Sequence, residues 1–199
     1  MKFYSFTKEI DGNEFFYAYS PQSRTTNKFT QHNGFISNKL MPNANGKDIS
    51  IHDYEHISLL TKQRYCTGTT ITLECDFEKF GAPLLLFTND LITINGVQSY
   101  NKHVEIVAYE NGLNVWDITY APDKPEERFI SPIKAAFRKF EIKNNERIFI
   151  TAKILENGLL VTVNGQTLQV EIPNMPQIAH VGFTACEGLN RFYSLKIEE

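Results

Sequence analysis

Six of the eleven glycines in this chain directly follow an asparagine, and that repetition restricts the fold more than any other feature. The pairs are Asn33-Gly34, Asn45-Gly46, Asn95-Gly96, Asn111-Gly112, Asn157-Gly158 and Asn164-Gly165, and Asp11-Gly12 is of the same type. Asn and Gly both tolerate positive φ, so such a pair suits the tight turn whose twist matches two antiparallel strands. Between the pairs lie short runs rich in Ile, Val, Thr, Phe and Tyr, residues that favour strands. The sequence therefore predicts an all-β chain of hairpins, packed as two antiparallel sheets in a sandwich.

The clearest stretch is Arg147 to Ile172. Ile148, Ile150, Ala152 and Ile154 alternate with Arg147, Phe149, Thr151 and Lys153; Leu159, Val161 and Val163 follow one Asn-Gly pair, and Leu168, Val170 and Ile172 follow the next. That is a three-strand meander with period-two burial. A strand is also predicted at Thr70–Phe80, with Ile71, Leu73, Cys75 and Phe77 on one face, and others at His103–Tyr109, Leu113–Tyr120, His180–Ala185 and Phe192–Ile197. Ser131–Phe140 and Tyr54–Lys62 fit a short helix, a strand or a loop, whereas Asn38–Lys47 and Ala121–Pro132 read as loops between sheets. No linker-like composition interrupts the chain, so one domain over residues 1–199 is expected.

At 42% apolar residues the chain can bury a proper core, and its 23 acidic and 20 basic residues are interspersed. It has no basic stripe for a nucleic-acid backbone, no Lys/Arg-rich amphipathic stretch for a membrane surface, and no apolar run near the roughly 20 residues of a membrane helix. The first residues have no apolar h-region and do not read as a signal peptide. Cys66, Cys75 and Cys186 are an odd set without a CxxC pair, which argues against a disulfide framework or structural zinc. A cytoplasmic protein with no cofactor and no metal is the expectation. His52-x-x-x-His56 would share a face only on a helix, and it is not taken as a metal site.

Two constellations carry possible chemistry. In Glu74-Cys75-Asp76-Phe77-Glu78 the three carboxylates share one strand face. Retaining glycoside hydrolysis needs two carboxyls about 5–5.5 Å apart, while positions i and i+4 of a strand have Cα atoms about 13 Å apart. An ordinary solvated strand face shows the same alternation, and both readings stay open. The second is His103-x-Glu105 with Tyr109, followed by Asn114-x-Trp116 across Asn111-Gly112. A hairpin there puts an aromatic platform and several polar groups on one side of a sheet, which is what the C–H face and hydroxyls of a sugar require. The alternative is a core Trp116 beside a surface histidine. Arg191 has the planar fork that clamps a carboxylate or a vicinal diol, although Glu187 and Arg191 also suit the pinning of a turn.

The stretches Tyr65–Phe87, His103–Trp116 and Arg147–Ile197 resemble the concanavalin A-like lectin and glucanase superfamily of jelly rolls, in particular its small single-domain bacterial members. The resemblance rests on the Thr70–Phe80 strand with Gly81-Ala82-Pro83, on His103-x-Glu105 with Asn114-x-Trp116, and on Val181-Gly182-Phe183 with Arg191-Phe192-Tyr193. It implies a carbohydrate ligand, lying on the concave sheet across His103, Glu105, Asn114 and Trp116, with Tyr109 and Arg191 as further ligand-binding residues. Glu74-x-Asp76-x-Glu78 resembles the catalytic E-x-D-x-E strand of a retaining endo-glucanase family with this fold, and Glu105 is a further candidate acid. The rival readings are a glycosidase or lyase acting on imported oligosaccharides, by a carboxylate pair or a His103/Tyr109 pair, and a structural role. In the last, a sheet face packs against a second copy or an enzyme subunit.

Overall fold

The computed structural model describes residues 1–23, 25–40, 56–121, 124–130, 134–137, 141–173 and 175–199, with the backbone alone for 121, 124–130 and 137. The strands are β1 (Lys2–Ser5), β2 (Phe15–Tyr19), β3 (Thr30–Gln31), β4 (Ile36–Ser37), β5 (His56–Cys66), β6 (Thr70–Gly81), β7 (Leu84–Thr88), β8 (Leu91–Ile94) and β9 (Val97–Tyr100). They continue with β10 (His103–Tyr109), β11 (Gly112–Ala121), β12 (Lys124–Ile130), β13 (Ala135–Phe137), β14 (Ile148–Leu155), β15 (Gly158–Val163), β16 (Gln166–Glu171) and β17 (Ile178–Glu198). The described residues include no helix. Tyr54–Lys62, open between helix, strand and loop, enters β5 from His56 onward. Ala121–Pro132, read as a loop, instead contains β12, which pairs with the end of β11. Residues 41–47 of the other expected loop, with Asn45-Gly46 and His52, lie outside the described residues.

Two sheets share β17. Its first half lies between β5 and β7 in a sheet that runs on to β10 and β11 at one side and to β2 and the β8–β9 hairpin at the other. Its second half lies between β6 and the short strands β1 and β4 in a sheet that continues through β14, β15 and β16. Among the described residues, all pairings are antiparallel except the Tyr19–Ser99 bridge of β2 with β9. Inward side chains of both sheets meet in one apolar core: Ile71, Leu73, Cys75, Phe77, Ile148, Ile150 and Val161 from one, and Leu59, Phe87, Val104, Ile106, Leu113, Val115 and Phe183 from the other. The apolar phase of the β14–β15–β16 meander is buried as its sequence predicts, and each such side chain contributes about 1.5–3 kcal/mol.

The Asn-Gly pairs are used in two ways. Asn95-Gly96 and Asn164-Gly165 occupy both central turn positions with positive φ, at 50° and 78° and at 46° and 78°. In the hairpins at Asn111-Gly112 and Asn157-Gly158 the turn has slipped back by one residue, and the glycine is the first residue of the returning strand. Gly158 has φ +148°, and a Cβ there would meet the Val170 carbonyl at 1.9 Å. Only glycine fits that position.

Candidate functional site

Strand β10 turns Val104, Ile106 and Ala108 into the core, so His103, Glu105, Val107 and Tyr109 point outward. The register then lays out rows across the outer face of this sheet. His103 lies beside Thr88 and Ile118, Glu105 beside Leu86 and Trp116, and Val107 beside Leu84 and Asn114. The Tyr109 hydroxyl donates to Asn114 Oδ1 across the hairpin at 3.3 Å. The four residues His103, Glu105, Asn114 and Trp116 thus share a face, together with Tyr109.

The outer face of a sandwich ordinarily meets water, yet the side chains of His103 and Glu105 are 0% and 3% exposed. His103 Nε2 lies 2.9 Å from Glu105 Oε1, and Nδ1 lies 3.2 Å from the Asn101 carbonyl oxygen. A carbonyl only accepts, so Nδ1 carries hydrogen, and the Nε2–Glu105 contact requires one further proton shared between the two groups. The Tyr100 ring meets the imidazole edge-on at 4.7 Å, and the Tyr120 ring stacks on it at 5.7 Å. The Tyr100 hydroxyl is hydrogen-bonded to Ser58, which is bonded in turn to Thr184, and the Tyr120 hydroxyl pairs with Ser20. Burial pushes the Tyr100 phenol well up, with the neighbouring Tyr120 and Glu105 acting in the same direction.

Part of this face is roofed by the chain itself. Tyr100 and Leu91 from the β8–β9 hairpin pack with Phe16, Ala18, Leu60 and Leu86 in a second, smaller apolar cluster. Val107, Tyr109, Asn114 and Trp116, on the far side of the His103–Glu105 pair from that roof, are only half-buried. The arrangement is a rigid, hydrogen-bonded wall with an aromatic and amide margin beside it.

The acidic strand lies elsewhere. On β6, Glu74, Asp76 and Glu78 point away from the core on the outer face of the other sheet, opposite Phe149 and Ser194, Arg191 and Leu189 respectively. The whole core separates them from Glu105 and Trp116, so the two groups do not border one ligand site. Arg191 joins the acids rather than the Trp116 face: its guanidinium reaches Asp76 at 3.0 Å and Glu78 at 3.1 Å. Nor does it pin a turn, since residues 187–191 continue β17 as strand. Burial opposes the Arg191 charge, but the hydrogen bonds to Glu78 and Asp76 outweigh it and hold its pKa above the ordinary value. Arg147 binds Glu74 at 2.8 Å and stacks its guanidinium 3.7 Å from the Tyr193 ring centre, while Ser194 donates to Glu74 and Tyr193 to Asp76. Burial, then the bond to Asp76, raise the Tyr193 phenol to about 12. Each of the three acids is tied to an arginine.

His103 and Tyr109 are six positions apart on one strand, about 20 Å, and do not make a proton-transfer pair. Tyr100, Tyr120, Ser58 and Thr184 are the neighbours that sequence reasoning did not select. Tyr120 shares the outward phase of Asn114 and Trp116 and was detectable on that ground; Tyr100, reached only through the hairpin, carried no such signal. Among the described residues, no group of three His, Cys, Asp or Glu side chains is placed to hold a metal ion.

No family model matches the chain, and no curated protein does. Solved structures do match it. The β-glucanase of Bacillus licheniformis superimposes with a TM-score of 0.66 at 11% identity, over 100% of this chain and 97% of that one. A Bacillus subtilis protein of unknown function with a galectin-like fold gives 0.65 at 8% identity, over 100% and 94%. The fold is a concanavalin A-like jelly roll. A carbohydrate-binding module of Bacillus subtilis has the same architecture, with a TM-score of 0.55 at 7% identity, over 72% of this jelly roll and 82% of that chain. At these identities the likeness speaks for the fold alone.

Proposed function

We propose that this jelly roll binds a carbohydrate on the outer face of the β10–β11 sheet. Trp116 serves as the platform for the apolar face of a sugar ring, Asn114 and Tyr109 meet its hydroxyls, and the buried His103–Glu105 pair holds the wall beside them in place. The observation that carries this reading is the placement of half-buried Trp116 directly beside Glu105, whose own position is fixed by the buried imidazole. Pre-ordered polar groups next to an aromatic face lose little entropy on binding, which is what a weakly hydrophobic, hydroxyl-rich ligand demands. The glucanase and the carbohydrate-binding module that share the fold support the ligand class.

The proton shared by His103 and Glu105 favours a second reading, in which the pair acts as a general acid and base in a hydrolase or lyase. The other candidate acids, Glu74, Asp76 and Glu78, stand on the opposite outer face, so a retaining carboxylate pair with Glu105 has no support.

A melting-shift screen across oligosaccharide classes tests the binding reading, with hydrolysis and elimination assays on each hit. One class of saccharide should raise Tm, by the equivalent of about 2.7 kcal/mol at a hundredfold excess over Kd. Trp116→Ala should abolish the shift, and Glu105→Gln should weaken it. A shift that survives intact in Trp116→Ala would place the ligand elsewhere. Absence of any shift would leave the face to a protein partner.

A further inference from the structure

At the far end of the same sheet, His56 on β5 and Cys186 on β17 are directly paired in register, and both side chains point to the outer face. Cys186 Sγ lies 2.6 Å from His56 Nε2, with both residues buried. The sulfur is otherwise set among Ala82, Leu84 and Val107. The chain's other two thiols contrast with it: Cys75 is enclosed in the core, where burial drives its pKa up, and Cys66 is exposed. A thiol held against an imidazole can pass its proton to the ring, and the resulting imidazolium stabilises the thiolate that reacts.

We propose that Cys186 and His56 form a thiolate–imidazolium pair, and that Cys186 is a peroxide-sensitive modification site of this protein. The site borders the carbohydrate face, because Val107 packs against the Cys186 cluster and lies beside Asn114, but the proposal does not depend on that reading. In the reaction, the Cys186 thiolate attacks one oxygen of hydrogen peroxide. An S–O bond forms and the O–O bond breaks; the sulfur loses two electrons to become a sulfenic acid, and the departing hydroxide takes the imidazolium proton of His56 and leaves as water. The residual 6% exposure of Cys186 suits an oxidant no larger than a peroxide.

The position also gives oxidation a structural consequence. Cys186 is the last residue of β17 before the chain passes from one sheet to the other through Glu187, at φ 60°, and Gly188. Its carbonyl accepts from the Ala82 backbone and from Asn190 Nδ2, and a Cβ on Gly188 would meet the Lys79 carbonyl oxygen at 1.9 Å. An added oxygen at Sγ enters the apolar cluster of Ala82, Leu84 and Val107 beside this crossing.

The test reads each cysteine separately by peptide mapping after brief treatment with hydrogen peroxide at pH 7, the peroxide then being removed and a sulfenic-acid trap added together with denaturant. Cys186 should be oxidised about tenfold faster than exposed Cys66, because the thiolate held by the imidazolium is the form that attacks. Substituting His56→Gln should bring Cys186 below Cys66 without altering the rate at Cys66. Trapped sulfenic acid should appear at Cys186 and be accompanied by a lower Tm. Cys186 reacting more slowly than Cys66 in the native protein overturns the proposal, whatever the variant does. So does a Cys186 rate unchanged in a folded His56→Gln protein.

Discussion

The two outer faces of this sandwich begin from the same sequence pattern and end as different surfaces. Both come from strands in which polar residues alternate with core residues, Glu74, Asp76 and Glu78 on β6 and His103 and Glu105 on β10. On the β6 face the acids are met by Arg147 and Arg191 and graded toward solvent, with Glu78 22% exposed. On the β10 face the polar groups are met by aromatic rings and by one another, and the β8–β9 hairpin closes over part of them. Charge compensation at a surface fixes little, because water competes for every partner. Enclosure fixes a great deal, because a buried polar group that loses its partner finds no other. The β10 face is therefore the pre-ordered one, and the one suited to recognition.

That contrast predicts a graded series of stability losses, measured by urea unfolding. The largest belongs to Glu105→Ala, which strands the His103 imidazole and opens a void between Leu86 and Trp116; a loss of about 3 kcal/mol is expected. A loss below about 1 kcal/mol would show that the pair is wetter than its burial implies. Asp76→Ala should follow at about 2 kcal/mol, since Asp76 is the most enclosed of the β6 acids and holds both Arg191 and Tyr193.

A pH titration sharpens the same comparison. Tyr193 is raised to about 12 by burial and by its bond to Asp76, whereas an unfolded phenol titrates near 10. Between those values the native state holds the proton more tightly, so the contribution of Tyr193 is complete below about pH 10 and is lost as pH rises toward 12. The difference in tyrosinate absorbance between the wild type and Tyr193→Phe should therefore have its midpoint well above 10. A midpoint at 10 would detach Tyr193 from Asp76. Smallest of all is Glu78→Gln, which loosens one partly exposed ion pair of Arg191 and should shift stability by no more than about 0.5 kcal/mol. If Glu78 matched Glu105 in effect, the distinction between the faces would collapse.

Much of the fold was legible because period-two burial and turn chemistry are local. The β14–β15–β16 meander is read directly from Ile148 through Val170, and the Thr70 and His103 strands start where their patterns start. The outward phase of Trp116 was likewise set by Leu113 and Val115 facing inward. What alternation cannot convey is which sheet a strand joins. The acids of β6 and the pair on β10 look equally outward in sequence, and they part only because the chain changes sheets between Gly81 and Leu84 and again near Glu187. For the same reason β17 is one strand of 21 residues where two were expected, and Arg191 belongs to an ion-pair ladder. The roof over His103 depends on Tyr100 meeting Leu60 and Leu86, contacts between strands far apart in the chain.

The carbohydrate reading has a built-in reporter, because Trp116 is the chain's single tryptophan. Titrating oligosaccharides while following its emission tests the face directly. A saturable blue shift or quench is predicted for one saccharide class, weakened at least about tenfold by Asn114→Ala with its loss of a hydrogen-bonding amide. Saccharide binding seen by calorimetry with no change in Trp116 emission, or no binding by any saccharide to the folded protein, would contradict the account.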